Sequence, residues 1–269
     1  MIREPVLVRW ALRTFSIAYV VMLVLWPVGL VVTHTFADGF GNVIEALTNP
    51  VVTAALALTA QVTVWSVLLN LLFGVGISLL LVRYDFWGKR ALSALVDLPL
   101  SVSPVVVGLA LMLVYNRNSP MGGFLYSIGY QIIFATPGMI LATVFVALPL
   151  VVREVVPVLT EIGDEQEQAG RSLGATGWQV FWRITLPGIK WAVVYGVVLA
   201  LARSLGEFGA VKVVSGNIAL KTQTATLVVE ETYQNFEQGT AYTVALVLTF
   251  AAVLCITVVS ILRPKEKQT

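Results

Sequence analysis

The chain has 269 residues, of which 58% are apolar and 12% charged, and its net charge is +2. Globular domains run at about 45–50% apolar and about 25% charged, so a water-soluble fold of this length would leave too much apolar surface uncovered, and a bilayer is the fitting solvent. So small a net charge gives no indication of nucleic acid as a partner, and the single cysteine, Cys255, excludes a disulfide within the chain.

A helix needs about 20 apolar residues to cross a hydrocarbon core of about 30 Å. In chain order, the first candidate is Thr14–Thr33, uncharged throughout. It is too long for a signal-peptide core and is followed by no small-residue cleavage site, so it reads as a retained span. The second lies within Val51–Val82, charge-free for 32 residues and so either tilted or begun as an interfacial segment. The others are Ala91–Tyr115, Ile132–Val152, Trp191–Val214 and Ala241–Leu262. All read as helices, because the runs are continuous and lack the period-two alternation of a barrel. The expectation is an all-α integral membrane protein of about six spans, with residues 1–269 forming one transmembrane domain.

Lysine and arginine set the orientation. Arg3, Arg9 and Arg13 precede the first span; Arg83, Lys89 and Arg90 follow the second; Arg153, Arg171, Arg183 and Lys190 follow the fourth; Arg263, Lys265 and Lys267 end the chain. The opposite side holds only Arg117, Lys212 and Lys221. This asymmetry predicts cytoplasmic termini, and with them an even number of spans.

The longest loop on the basic side runs from Arg153 to Lys190. Asp164 reads as a helix cap with Glu165 and Glu167 in the first turn, where the helix dipole favours acids. Gly174 reads as the left-handed stop. A second amphipathic piece follows, with Trp178, Phe181, Trp182 and Ile184, and Pro187 is expected to open the next span. The prediction is a helix–turn–helix across the membrane surface, suited to a partner's groove. The alternative is an interfacial loop whose aromatics lie among headgroups.

Gly174, nine residues, then Ile184-Thr185-Leu186-Pro187 resembles the docking loop of ATP-binding-cassette importer permeases, E-A-A-x-x-x-G-x9-I-x-L-P. Gln168, Ala169 and Gly170 stand at the E-A-A positions, with Glu167 one residue earlier. The stretches DLPLSVSPVVVGLAL, GATGWQVFWRITLP and ARSLGEFGA extend the resemblance over nearly the whole chain, to the sulfate, thiosulfate and molybdate importers within that family. The resemblance implies that Glu167, Gln168, Ala169, Gly170, Gly174, Ile184, Leu186 and Pro187 form the coupling site. It also implies a second permease subunit, a separate ATPase dimer that binds ATP and Mg, and an extracytoplasmic sulfate-binding protein, in the cytoplasmic membrane. The chain itself has no G-x-x-x-x-G-K-[ST] phosphate loop, so nucleotide would be bound by another polypeptide.

Ionisable residues inside spans are candidates for a translocation path. Arg203 and Glu207 are four residues apart in the fifth span, either a self-neutralised pair or part of a gate. Gly196, Ala200 and Ser204 form a small-residue face suited to close packing. Gly206 and Gly209 bracket a point where the helix is expected to unwind. Asp97, near the inner interface, reads either as an interfacial anchor or as part of a polar path; Ser101 and Ser103, with Pro99 and Pro104, offer either a polar lining or an ordinary proline kink. The only histidine, His34, reads as a solvated loop residue. No metal or catalytic constellation is expected. An ion-driven transporter and a membrane-embedded enzyme are the other function classes. The first leaves the docking loop unexplained; the second needs a polar cluster that the sequence lacks.

Overall fold

The computed structural model describes residues 6–37 and 39–262. Among these the chain is entirely helical: α1 (Val6–Val20), α2 (Trp26–Thr35), α3 (Phe40–Thr48), α4 (Pro50–Arg83), α5 (Lys89–Ser101), α6 (Pro104–Tyr115), α7 (Pro120–Ser127), α8 (Thr136–Glu161), α9 (Glu165–Ser172), α10 (Gly177–Val180), α11 (Leu186–Leu205), α12 (Gly209–Ser215), α13 (Ala225–Gln234) and α14 (Gln238–Leu262). Five helical runs are long and apolar enough to cross a membrane, and α5 with α6 makes a sixth if taken as one broken span. The expected count therefore holds with one span broken. Of the residues used for orientation, Arg3, Arg263, Lys265 and Lys267 lie outside the described residues.

The first run, Val8–Thr35, is longer than expected and turns apolar side chains outward almost throughout, as lipid contact requires. His34 lies in its last turn with its ring stacked on Tyr242, 5.3 Å between centroids, and is not a loop residue. The second run is one uninterrupted helix, α4, opened by Asn49, whose side chain accepts from Val51 N–H at 2.9 Å, with Pro50 at its first position. At 1.5 Å per residue its 34 residues span about 51 Å, so it projects beyond the hydrocarbon.

The third expected span does not cross as one helix. Its two halves, α5 and α6, bend by 117° at Val102–Ser103. Pro104 has no N–H to continue a helix and biases Ser103 towards extended backbone, and both Val102 and Ser103 have positive ψ (138° and 134°).

Two five-residue π segments, Val21–Leu25 and Phe181–Thr185, share one cause. Each is followed two residues later by a proline, Pro27 or Pro187, whose missing N–H and ring disturb the i→i−4 ladder. The wider turn absorbs the disturbance: Trp26 N–H bonds Val21 C=O, and Leu186 N–H bonds Phe181 C=O. Pro187, expected from sequence to open a span, does stand in the first turn of α11, but the helical run begins earlier. It sits inside a helical run from Gly177 to Leu205.

The centre of the bundle is α4, α8 and α11. Small residues set their separation: a methyl group at Gly74 would lie 2.8 Å from a Val151 side-chain carbon, and one at Gly196 would lie 3.0 Å from Val151 Cα. Val75, Ala147, Val155, Leu159, Ile189 and Ala200 fill the core between these helices.

Candidate functional site

The expected docking loop shrinks once the helices are in place. Residues 153–161 belong to α8 and residues 177–190 to the run that continues into α11, so α9 and its two flanking turns are the projecting part. The second amphipathic piece is the start of a membrane helix rather than a separate surface helix.

One buried carboxylate ties α9 down. Glu167 is 6% exposed. Arg83, at the end of α4, donates from Nε to both Glu167 oxygens at 3.2 and 3.1 Å and from Nη2 to Oε1 at 3.1 Å. Its Nη1 donates to Leu159 C=O at 3.0 Å and Nη2 to Gly163 C=O at 2.6 Å, satisfying carbonyls at the C-terminal end of α8. The Thr185 hydroxyl completes the cluster, donating to Glu167 Oε1 at 2.9 Å. The ends of α4 and α8, the surface helix α9 and the π segment leading into α11 therefore converge on one ion pair. Charge-assisted forked pairs of this kind fix geometry more firmly than neutral hydrogen bonds.

Around this cluster the predicted coupling residues divide. Glu167 faces the chain's own interior. Gln168 and Ala169 face outward. Gly170 lies against Ile184; a methyl group there would come within 2.7 Å of Ile184 Cδ1, so a side chain at this position would require the end of Ile184 to shift. Gly174 adopts φ +88°. Gly174 N–H bonds Arg171 C=O at 2.9 Å and Ala175 N–H bonds Gly170 C=O at 3.1 Å, the Schellman pattern expected of a glycine stop. Leu186 is partly buried in the core and Pro187 is exposed. Asp164 occupies the cap position but makes no capping bond; its carboxylate accepts from the Gln168 side chain at 2.8 Å instead. The outward face of the segment carries Leu173, 89% exposed, and Trp178, 70% exposed.

A second polar centre lies where α11 ends. The chain breaks at Gly206–Phe208, as the glycine pair predicts. Glu207 is 4% exposed and stands in the break, not on the helix face expected for it. Its Oε2 lies 2.8 Å from Arg203 Nη1, an ion pair without hydrogen-bond alignment. Its Oε1 accepts from Ala210 N–H at 3.0 Å in the first turn of α12, and its backbone carbonyl accepts from the Thr226 hydroxyl at 2.9 Å. Ser204 is buried and its hydroxyl has no hydrogen-bond partner.

The two breaks abut. A methyl group at Gly209 would lie 3.1 Å from Pro104 Cβ and 3.3 Å from Val105 Cγ2. Ser103 is exposed beside this contact, and Ser101 is exposed at the end of α5. Irregular backbone at membrane depth is tolerated where it is buried in protein or lines a cavity. Asp97 sits apart from this centre, paired with Arg153 of α8 at 2.9 Å with both side chains about half exposed. Reading the sequence missed Arg83 and Thr185. Arg83 lies 84 positions from Glu167, and no local pattern joins them.

Residues 70–264 match the model of the family described as "Binding-protein-dependent transport system inner membrane component". The chain is 49% identical over 238 residues to the sulfate transport system permease protein CysW of Synechococcus elongatus, covering 88% of this chain and 83% of that one. It is 36% identical over 239 residues to the sulfate transport system permease protein CysT of Escherichia coli K12, covering 89% and 86%. Its fold is similar to a chain in the crystal structure of a bacterial transporter involved in import of the acidic polysaccharide alginate, with a TM-score of 0.79, 15% identity and coverage of 97% and 96%. With its several apolar runs and its match over residues 70–264, the chain belongs to the inner-membrane permease family of binding-protein-dependent ATP-binding-cassette importers.

Proposed function

We propose that the chain is one of two different permease subunits of an ATP-driven importer of sulfate or thiosulfate. The names of its relatives support the substrate, and their division into two kinds of sulfate permease supports a second, CysT-like subunit beside this one. The ATPase is a separate CysA-like dimer that binds ATP and Mg, and an extracytoplasmic sulfate-binding protein delivers the anion. Both termini and α9 face the cytoplasm, in keeping with the basic residues of the α4–α5 and α8–α11 connections.

The observation that carries the coupling role is the convergence of four segments on Glu167. In this reading α9 seats in a cleft of the ATPase through its outward face, around Leu173 and Trp178. Closure of the ATPase dimer displaces α9. Because Arg83 and Thr185 hold the same carboxylate, that displacement reaches α4, α8 and α11 together rather than bending a loop. The paired breaks at Ser103–Pro104 and Gly206–Gly209 form the part of the path that changes between inward- and outward-facing states, with Arg203, Ser204 and Glu207 beside it. Asp97 and Arg153, paired with each other, stand apart from these breaks. The permease supplies a route and two states whose populations the anion biases by its differential affinity, and ATP hydrolysis by the partner gives transport its direction.

The test is uptake of labelled sulfate into proteoliposomes holding this chain, the second permease and the ATPase, with binding protein on the delivering side. Uptake should require ATP and the binding protein. Uptake driven by an ion gradient without ATP would make the chain a secondary transporter and overturn the reading.

A further inference from the structure

A cavity of about 580 Å³ opens between α4, α5 and α8, near the end of α4 that carries Arg83. One wall is apolar, built from Leu81 of α4, Val96 of α5 and Val156 of α8. Three cationic side chains, Lys89, Arg90 and Arg153, also line it, together with Ser93 and the Asp97 carboxylate. Arg153 is engaged by Asp97, and Lys89 donates to Asp85 at 2.7 Å, a hydrogen bond that holds the Asp85 carboxyl below its ordinary range. Arg90 has no carboxylate partner among the described residues and is exposed.

Two features say what this cavity takes. Lys89 and Arg90 occupy the first turn of α5, where the helix dipole disfavours cations, so helix stability does not account for them. The turn just before them carries Tyr84 and a fully exposed Trp87. Tyrosine and tryptophan concentrate at the headgroup level of a bilayer, which puts the cationic rim at that depth and the apolar wall beside it. An inorganic anion would need polar groups all round, whereas an amphiphile matches one charged edge and one apolar wall.

We propose that this cavity binds the phosphate headgroup of an anionic phospholipid from the cytoplasmic leaflet, with its acyl chain against the Val96–Val156 wall. Arg90 is the principal ligand, because its guanidinium is free to fork onto two phosphate oxygens. Lys89 and Arg153 add charge without leaving their carboxylate partners. Basic pockets between membrane helices on the cytoplasmic side suit such headgroups. The proposal rests on the orientation argued above, but not on transport.

The test uses the whole complex of this chain with its second permease and ATPase, purified in detergent, and titrated with phosphatidylglycerol or phosphatidylcholine while bound lipid is counted by native mass spectrometry. Phosphatidylglycerol should be retained in preference to phosphatidylcholine. Arg90→Gln should weaken it about fivefold, and Lys89→Gln with Arg90→Gln by about 25-fold, the effect expected of one and two surface cations. Lys221→Gln, outside the cavity, should leave binding unchanged. Equal retention of both lipids, or wild-type affinity in the double variant, would overturn the proposal. So would displacement of phosphatidylglycerol by millimolar inorganic phosphate or sulfate, which would give the site to a free oxyanion. Binding to the isolated chain but not to the complex would make the cavity a subunit interface instead. A failure of sulfate uptake with lipid preference intact would count against the transport reading alone.

Discussion

At one end of the bundle, Arg83 and Glu167 satisfy each other, two backbone carbonyls and a threonine hydroxyl. In the middle, buried polar groups are left over. Both amide atoms of Asn70, the hydroxyl of Thr63 and the hydroxyl of Ser204 are buried without hydrogen-bond partners, and Glu207 Oε2 has only its ion contact with Arg203. Fully satisfied networks rigidify, and buried groups without partners raise the free energy of the state that contains them. The difference fits a division of labour. The Glu167 cluster is a joint that moves as a unit, and the centre of α4 with the α11 break is the part whose packing is free to change.

The largest expected effect is at the joint. Glu167→Ala leaves the Arg83 guanidinium buried without its counter-charge, a loss of about 3–5 kcal/mol for a buried pair. Thermal unfolding of the purified complex should register it, and equal unfolding of variant and wild type would mean the cluster is not structural. Gly174→Val comes next. A methyl group at Gly174 meets nothing within 4 Å, so the cost is backbone strain at φ +88°, about 1–3 kcal/mol for a non-glycine residue there and greatest for a branched one. The helix end should loosen, and substrate-stimulated ATP hydrolysis should be lost while the chain still inserts. Full stimulation would place the docking site elsewhere.

At the break the two partners should not be equal. Glu207 also caps α12 and is buried, whereas the Arg203 side chain is 37% exposed and partly screened. Glu207→Ala should therefore destabilise more than Arg203→Ala, by about 1 kcal/mol, the worth of a helix cap. Paired denaturation curves decide it, and the reverse order would make Arg203 the structural partner. The smallest effect is expected at Gln168→Ala. It removes one exposed hydrogen bond to Asp164 and should change stability and coupling by under about 1 kcal/mol; a loss as large as that at Gly174 would transfer the docking role to this side chain.

The parts of this architecture that were legible in the sequence are those set by neighbours in the chain. The apolar runs located the spans. Gly174 marked the end of α9, the Gly206–Gly209 pair marked the break, and Pro99 and Pro104 marked the weak point of the third span. What was hidden depends on distant contacts or on how a helix absorbs a local fault. Pro187 reads as a helix start because its missing N–H costs least there, but the π segment before it accommodates the proline inside a continuous run. Asp164 has the chemistry of a cap, yet its carboxylate takes the Gln168 amide. Glu167 reads as a first-turn acid and, by resemblance, a member of the coupling site; its burial beside Arg83, 84 positions earlier, has no local signal.

The central claim is that α9 moves the membrane helices through the Arg83–Glu167 pair. A double-mutant cycle with Arg83→Met, Glu167→Met and both together, read as substrate-stimulated ATP hydrolysis in the reconstituted complex, tests it directly. Each single change should abolish stimulation while basal hydrolysis persists, and the double variant should lose no more than either single one, because the two side chains act as one joint. Single variants that assemble and keep wild-type stimulation would contradict the account.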